Sequence, residues 1–164
     1  MDTPLTVTSR RASVLQEELH SHCFACAPDN KHGLGLIFHV DVEGVTNATW
    51  QPSPIFQSYD GRIHGGILAT LMDASMVHAL FARGIAGVTG EMTVRYRVPV
   101  RLGMPVKVTT RLEAQIHGIC YLRAEIWQNG DLAAKGHGKF MAMPEAVQNF
   151  HPNRQPSCQI ARPC

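Results

Sequence analysis

The sequence predicts an α+β domain in which a curved antiparallel sheet wraps one long central helix. Three observations predict it. A single helical segment, Gly65 to Arg83, is apolar in nearly every direction, which marks a helix enclosed on all sides. Strand-like runs flank it, two before and about four after. The strands are joined mostly by short hairpin turns, so sequence neighbours pair antiparallel. A sheet encloses a helix only by curving around it, and a second subunit is the simplest cover for the far side.

The elements follow in order. Residues 1–22 are polar and read as an N-terminal extension, with a short helix over Ser13 to Leu19. Cys23 to Gly35 is turn-rich, with Pro28, Asn30, Gly33 and Gly35. Leu36 to Val42 and Val45 to Gln51 are strands, with Glu43-Gly44 as their hairpin turn. A loop runs through Pro52, Pro54 and Gly61 to the helix, which Gly84 stops. Strands follow over Val88 to Val98, Met104 to Ile116, Ile119 to Trp127 and Leu132 to Met143. His117-Gly118 and Asn129-Gly130 supply the last two turns. The domain is expected over 23–144, and residues 145–164, with three prolines and no periodicity, as a loose tail.

Composition narrows the class. A chain of 164 residues suits one domain with a core that needs no disulfide or metal staple. Apolar residues at 45% and charged residues at 17% argue against disorder. A balance of 15 basic to 13 acidic residues argues against nucleic acid as a partner. The first 22 residues hold no apolar leader, and Asp73 and His78 interrupt the longest apolar stretch. These point to a cytoplasmic protein without a membrane partner, and five cysteines, an odd number, to reduced thiols.

Asp73 is the anomaly, a carboxylate within an apolar helix. A lone buried carboxylate must be paired, hydrogen-bonded or neutralised. It is either a structural acid bonded to an amide or arginine elsewhere, or a catalytic acid. His64-Gly65-Gly66 lies directly before the helix, whose first-turn amides lack internal partners and carry the positive end of the dipole. That is a seat for an oxyanion, and glycines let a substrate approach the backbone. Gly65 and Asp73 are separated by about 12 Å along one helix at 1.5 Å per residue. One carbonyl centre cannot touch both, so cooperation requires Gly65 from one subunit and Asp73 from another.

These segments carry a resemblance. HGGILATLMDAS is similar to the His-Gly-Gly…Asp signature of hotdog-fold acyl-CoA thioesterases, in the branch of the phenylacetate-pathway and hydroxybenzoyl-CoA enzymes. CFACAPDNKHGLGL resembles the opening of many members, and VTGEMTVRYRVPVRLGMPV resembles their strand after the helix. Together they cover roughly residues 23–143. The resemblance implies a hotdog fold, hydrolysis of an acyl-CoA to acid and CoA, and a homodimer or dimer of dimers. It implies Asp73 as general base or nucleophile, the Gly65 amide as carbonyl polariser, His64 as the loop-shaping residue and Thr89 as holder of the attacking water. Gln57, Ser58 and Gly66 then fall at the substrate, with Arg95 and Arg97, beside Arg101 and Lys107, placed for the CoA phosphates. Coenzyme A enters as part of the substrate; no separate cofactor and no catalytic metal are implied.

The sequence also departs from the family. Ser58 stands where many members have Asn or Gln, Ala74 where some have Glu, Val77 where others have a hydroxyl, and Ala27 where Gly is usual. Two other readings stay open: a non-catalytic acyl-CoA-binding module and an acyl-thioester hydratase or dehydratase. Cys23-x-x-Cys26 beside His20, His22 and His32 reads first as a structural loop, with a zinc site or a redox pair as alternatives. Val94, Tyr96 and Val98 are expected to face the helix, Glu91 to pair with an arginine, and His78, His117 and His137 to be core or turn histidines.

Overall fold

The computed structural model describes residues 15–143. Residues 15–19 are helical. Six strands follow: β1 (His39–Val40), β2 (Thr46–Trp50), β3 (Gly87–Tyr96), β4 (Val106–Ile116), β5 (Ile119–Gln128) and β6 (Asp131–Ala142). Helix α1 (Gly65–Phe81) lies between β2 and β3 in sequence. The strands form one antiparallel sheet in the order β1-β2-β4-β5-β6-β3, and α1 packs against β2 through β6. This is the hotdog arrangement. The expected tail at 145–164 and the start of the first helix lie outside the described residues.

The turns form for the reasons the sequence gives. Asn129 and Gly130 both take positive φ, 53° and 85°, and His117 and Gly118 do the same at 49° and 79°. Two consecutive left-handed residues match the twist of the strands they join. The first strand is much shorter than its predicted seven residues. Its early part is held by the preceding loop, with Leu36 N–H bonded to Ala25 O at 2.9 Å. Its end is turned by Asp41, whose Oδ1 accepts from Glu43 N–H at 3.0 Å and Val45 N–H at 2.9 Å.

Helix α1 sinks one face into the sheet. Leu71, Met72, Met76 and Leu80 are fully buried, against Val108, Leu122, Ile126 and Phe140. Close approach depends on β6. A Cβ on Gly136 would lie 2.7 Å from Met72 Sδ, and one on Gly138 would lie 2.6 Å from Met76 Sδ. Ser75 on this face is satisfied: it donates to Met72 O at 2.9 Å and shares a 2.5 Å bond with Thr110 Oγ1. The helix stops as expected, with Gly84 at φ 70° and Ile85 N–H reaching back to Leu80 O at 3.0 Å.

The opposite face is not enclosed. Gly66, Thr70 and Asp73, spaced four and three apart, form a stripe that is half-buried to exposed. Strand β3 is a ten-residue sheet edge with a neighbour on one side alone, and Val88, Tyr96 and Val98 are about half exposed there. The enclosure predicted for α1 is therefore supplied on one side by the sheet, while the other side is open among the described residues. Among the described residues no helix is long and apolar enough to cross a membrane.

Candidate active site

The entry to α1 is built by His64. It is the N-cap, with extended backbone, and its Nδ1 accepts from Gly66 N–H at 2.9 Å. An accepting Nδ1 places the ring proton on Nε2. A Cβ on Gly66 would sit 3.0 Å from that nitrogen, so the small residue is what lets the ring reach the amide. The His64 carbonyl receives Ile67 N–H and Leu68 N–H. The Gly65 N–H is left with no acceptor among the described residues, at the positive end of the helix. Gly65 is fixed from the other side, its carbonyl accepting the Tyr96 hydroxyl at 2.8 Å.

Asp73 stands two turns further along the open stripe, half-buried. No group of the helix serves it. Its partner comes from β3: the Thr89 hydroxyl donates to Asp73 Oδ1 at 2.6 Å. A bulge makes this contact. The register jumps between Thr89, opposite Phe140, and Glu91, opposite Lys139, so Gly90 is the extra residue. Met92 faces the helix, and alternation alone would turn Thr89 outward; the inserted residue turns it in.

The other predicted positions separate from this pair. Gln57 is exposed, and its Oε1 accepts from Gly61 N–H at 3.2 Å, which closes the loop before the helix. Ser58 N–H bonds Arg62 O at 2.9 Å in the same loop. Arg95 and Arg97 are exposed and make no ion pair among the described residues. Three expectations are corrected. Glu91 pairs with Lys139 at 2.7 Å, its cross-strand neighbour, and not with an arginine. Val98 lies beyond the strand and is exposed, and Tyr96 meets the helix through its hydroxyl rather than by core burial. The role of Tyr96 was hidden in the sequence, because an alternating aromatic in a strand reads as packing.

A second cluster lies near the C-terminal end of α1. His20, Cys23 and Cys26 bring one donor atom each within 4.8 Å of one another, while His22 and His32 are exposed and outside the group. Burial and the adjacent Cys23 push the Cys26 thiol up to about 12. His20 stands edge-on to Phe81 at 5.0 Å. His78 is a core histidine as expected, stacked on Phe38 at 4.1 Å and held neutral by burial, its pKa brought down to about 3.

The model of the thioesterase superfamily matches residues 60–135, the span from the loop before the cap through β6's first half. Over that span the chain is similar to the thioesterase superfamily. Human acyl-coenzyme A thioesterase 13 is 32% identical over 84 residues, and the mouse protein of the same name 31%. That is 50% of this chain and 56% of each relative, so the chain spans about half the length of the curated relatives it matches. Among solved thioesterase-like structures, the Escherichia coli PaaI protein from the phenylacetic acid degradation operon superposes with a TM-score of 0.70 at 20% identity, over 84% of this chain and 96% of that one. The protein smu.793 from Streptococcus mutans, solved with acetyl-CoA bound, superposes at 0.62 and 17% identity, over 66% and 88%. A hypothetical thioesterase from Streptococcus pneumoniae superposes at 0.62 with coenzyme A bound, at 20% identity over 73% and 93%. That protein was also solved with one aspartate, and separately one threonine, changed to alanine.

Proposed function

We propose that this chain is a thioesterase that hydrolyses acyl-CoA thioesters to a free acid and coenzyme A, acting as a homodimer. The observation that carries the reading is the Thr89–Asp73 hydrogen bond on the open face of α1. The two residues altered in the streptococcal thioesterase are sixteen positions apart, and Asp73 and Thr89 have the same separation. The coenzyme A and acetyl-CoA held by the streptococcal proteins support the thioester class.

The steps follow from the geometry. The thioester carbonyl oxygen takes the Gly65 N–H, a donor with no acceptor of its own, and the helix dipole stabilises the charge that develops there. Thr89 spends its proton on Asp73, which leaves its oxygen free to accept from a water. Asp73 removes that water's proton as the oxygen bonds to the carbonyl carbon. The tetrahedral intermediate collapses with rupture of the C–S bond, and the proton passes from Asp73 to the departing sulfur. A thiol with a pKa near about 8.5 leaves with little acid assistance, so no stronger acid is required.

The spacing of Gly65 and Asp73 along one helix, about 12 Å at 1.5 Å per residue, supports a reading in which they serve two different sites. Each site takes Gly65 from one protomer and Asp73 with Thr89 from the partner. The exposed β3 edge is the surface such pairing would cover; a long edge strand left open invites pairing with another chain. Arg95 and Arg97, which make no ion pair among the described residues, suit the CoA phosphates at the rim of that interface.

The test is thiol release from a panel of aryl- and alkyl-CoAs, with Asp73→Asn alongside. Turnover that collapses in the variant supports the mechanism and identifies the acyl class. Turnover that survives in Asp73→Asn overturns it. Tight acyl-CoA binding without turnover by the unaltered protein would make this a binding module.

A further inference from the structure

We propose that His20, Cys23 and Cys26 bind a zinc ion. The three donors recur every third residue, and the local fold brings them together before any metal arrives. Cys23 N–H bonds His20 O at 3.1 Å and Ala27 N–H bonds Cys23 O at 3.0 Å, so successive turns stack these positions on one side. All three donor atoms fall within 4.8 Å of one another, and His20 Nδ1 lies 3.9 Å from Cys26 Sγ. Zinc at about 2.3 Å from sulfur and about 2.0 Å from nitrogen would hold tetrahedral ligands roughly 3.5–3.8 Å apart. The donors need to close by about an ångström or less to reach that spacing.

Two further features favour a metal over a pair of idle thiols. Ala25 N–H points at Cys23 Sγ at 3.4 Å, a contact that stabilises a thiolate more than a thiol. Charge also balances. Two thiols each lose a proton to solvent on binding, and two thiolates with a neutral imidazole cancel the ion's two positive charges. A neutral centre suits the site, since Cys26 is only 4% exposed and sits among Leu34, Leu36 and Phe81 in the core cluster. No oxidant is involved. Thiolate with imidazole selects zinc over magnesium or calcium, which take oxygen ligands.

The fourth position has room. A cavity of about 590 Å³ adjoins His20 and Cys23, walled by Leu19, Phe81, Val88 and Met143. A water, or a small anionic or thiol ligand entering from that cavity, completes four-coordination. The structural consequence is a staple. Gln16 Nε2 bonds Cys26 O at 3.3 Å, Leu34 N–H bonds Phe24 O, and His20 abuts Phe81 at the end of α1. The ion would lock the turns of residues 20–26 and so fix the His20 ring where it packs on Phe81, and the proposal does not depend on the hydrolytic reading.

The experiment uses the full chain purified under reductant. Metal analysis should find about one zinc per chain, as a dedicated site requires. Chelator-stripped protein titrated with Co²⁺ should show tetrahedral d–d bands and a thiolate-to-cobalt charge-transfer band. Cys23→Ser, Cys26→Ser and His20→Asn should each weaken zinc binding by at least about tenfold, while His32→Ala, outside both the cluster and the adjoining cavity, leaves it unchanged. The cobalt spectrum of the unaltered protein is informative even if a variant fails to fold. A spectrum without the charge-transfer band overturns the proposal. So does equal loss of zinc in His32→Ala. A fully reduced protein that rejects both ions, yet loses two hydrogens in air to a Cys23–Cys26 disulfide, overturns it in favour of a redox pair.

Discussion

The two faces of α1 share one apolar composition and have opposite environments. The inner face carries Leu71, Met72, Ser75, Met76 and Leu80, all buried against the sheet, with the Ser75 hydroxyl bonded to Thr110 and the Met72 carbonyl. The outer face carries Gly66, Thr70 and Asp73, half-buried to exposed, and its carboxylate is held by a single hydroxyl from β3. One face is closed by side-chain volume. The other is left with unspent hydrogen-bonding capacity at Gly65 N–H and Asp73. Stability should therefore reside on the inner face and chemistry on the outer one, and substitutions can break that division.

The largest effect is expected at Asp73. Asp73→Asn keeps the shape and the bond to Thr89 but cannot take a proton. It should lower kcat by about 10²–10⁴-fold, the range for a lost general base, while the urea midpoint stays near that of the unaltered protein. A large loss of stability would place Asp73 with the inner face after all. Leu80→Ala should do the reverse. It opens a cavity at a fully buried site and should cost about 2–5 kcal/mol in equilibrium unfolding, the range for such truncations. Its kcat should change little wherever the protein remains folded.

Thr89→Val sharpens the comparison, because it removes one charge-assisted hydrogen bond without changing side-chain size. Such bonds are worth about 1.5–3 kcal/mol, so kcat should fall roughly 10–100-fold, with folding stability little altered. Gly138→Ala tests the inner face from the sheet side. The new Cβ would meet Met76 Sδ at 2.6 Å and the Phe140 ring at 2.7 Å. Overpacking of that kind should cost about 1–3 kcal/mol in urea unfolding, less than Leu80→Ala because Met76 is flexible. The smallest effect should be at His64. His64→Ala removes the side-chain cap on Gly66 N–H, and loss of a cap costs about 0.5–2 kcal/mol. Its pH–rate profile should keep its shape, since His64 is positioned to cap the helix and not to accept the water's proton.

Much of this was legible in the sequence. The paired turns at His117-Gly118 and Asn129-Gly130 require left-handed backbone that few residues accept, so they announce themselves locally. The helix start and stop follow from His64-Gly65-Gly66 and Gly84 in the same way. Asp73 was conspicuous because a carboxylate in an apolar helix conflicts with its surroundings. Thr89 entered the site through the resemblance alone, and how it comes to face Asp73 was not legible. Thr89 reaches Asp73 through the bulge at Gly90, and a register jump depends on how β3 lines up with β6, fifty residues later in the chain by rough count. Tyr96 reaches Gly65 and Lys139 reaches Glu91 for the same kind of reason.

The sequence by itself determined the element order, the turns, the helix boundaries and the one carboxylate the helix would have to accommodate. Each of these rests on backbone preference or on the polarity of a residue among its near neighbours. Tertiary structure alone decided which face of α1 stays open, that Thr89 turns inward, and that His20, Cys23 and Cys26 converge while His22 and His32 do not. These depend on register and on the path of a loop over the core, where a shift of one residue moves a side chain to the opposite face. Composition and local spacing carry no record of that shift.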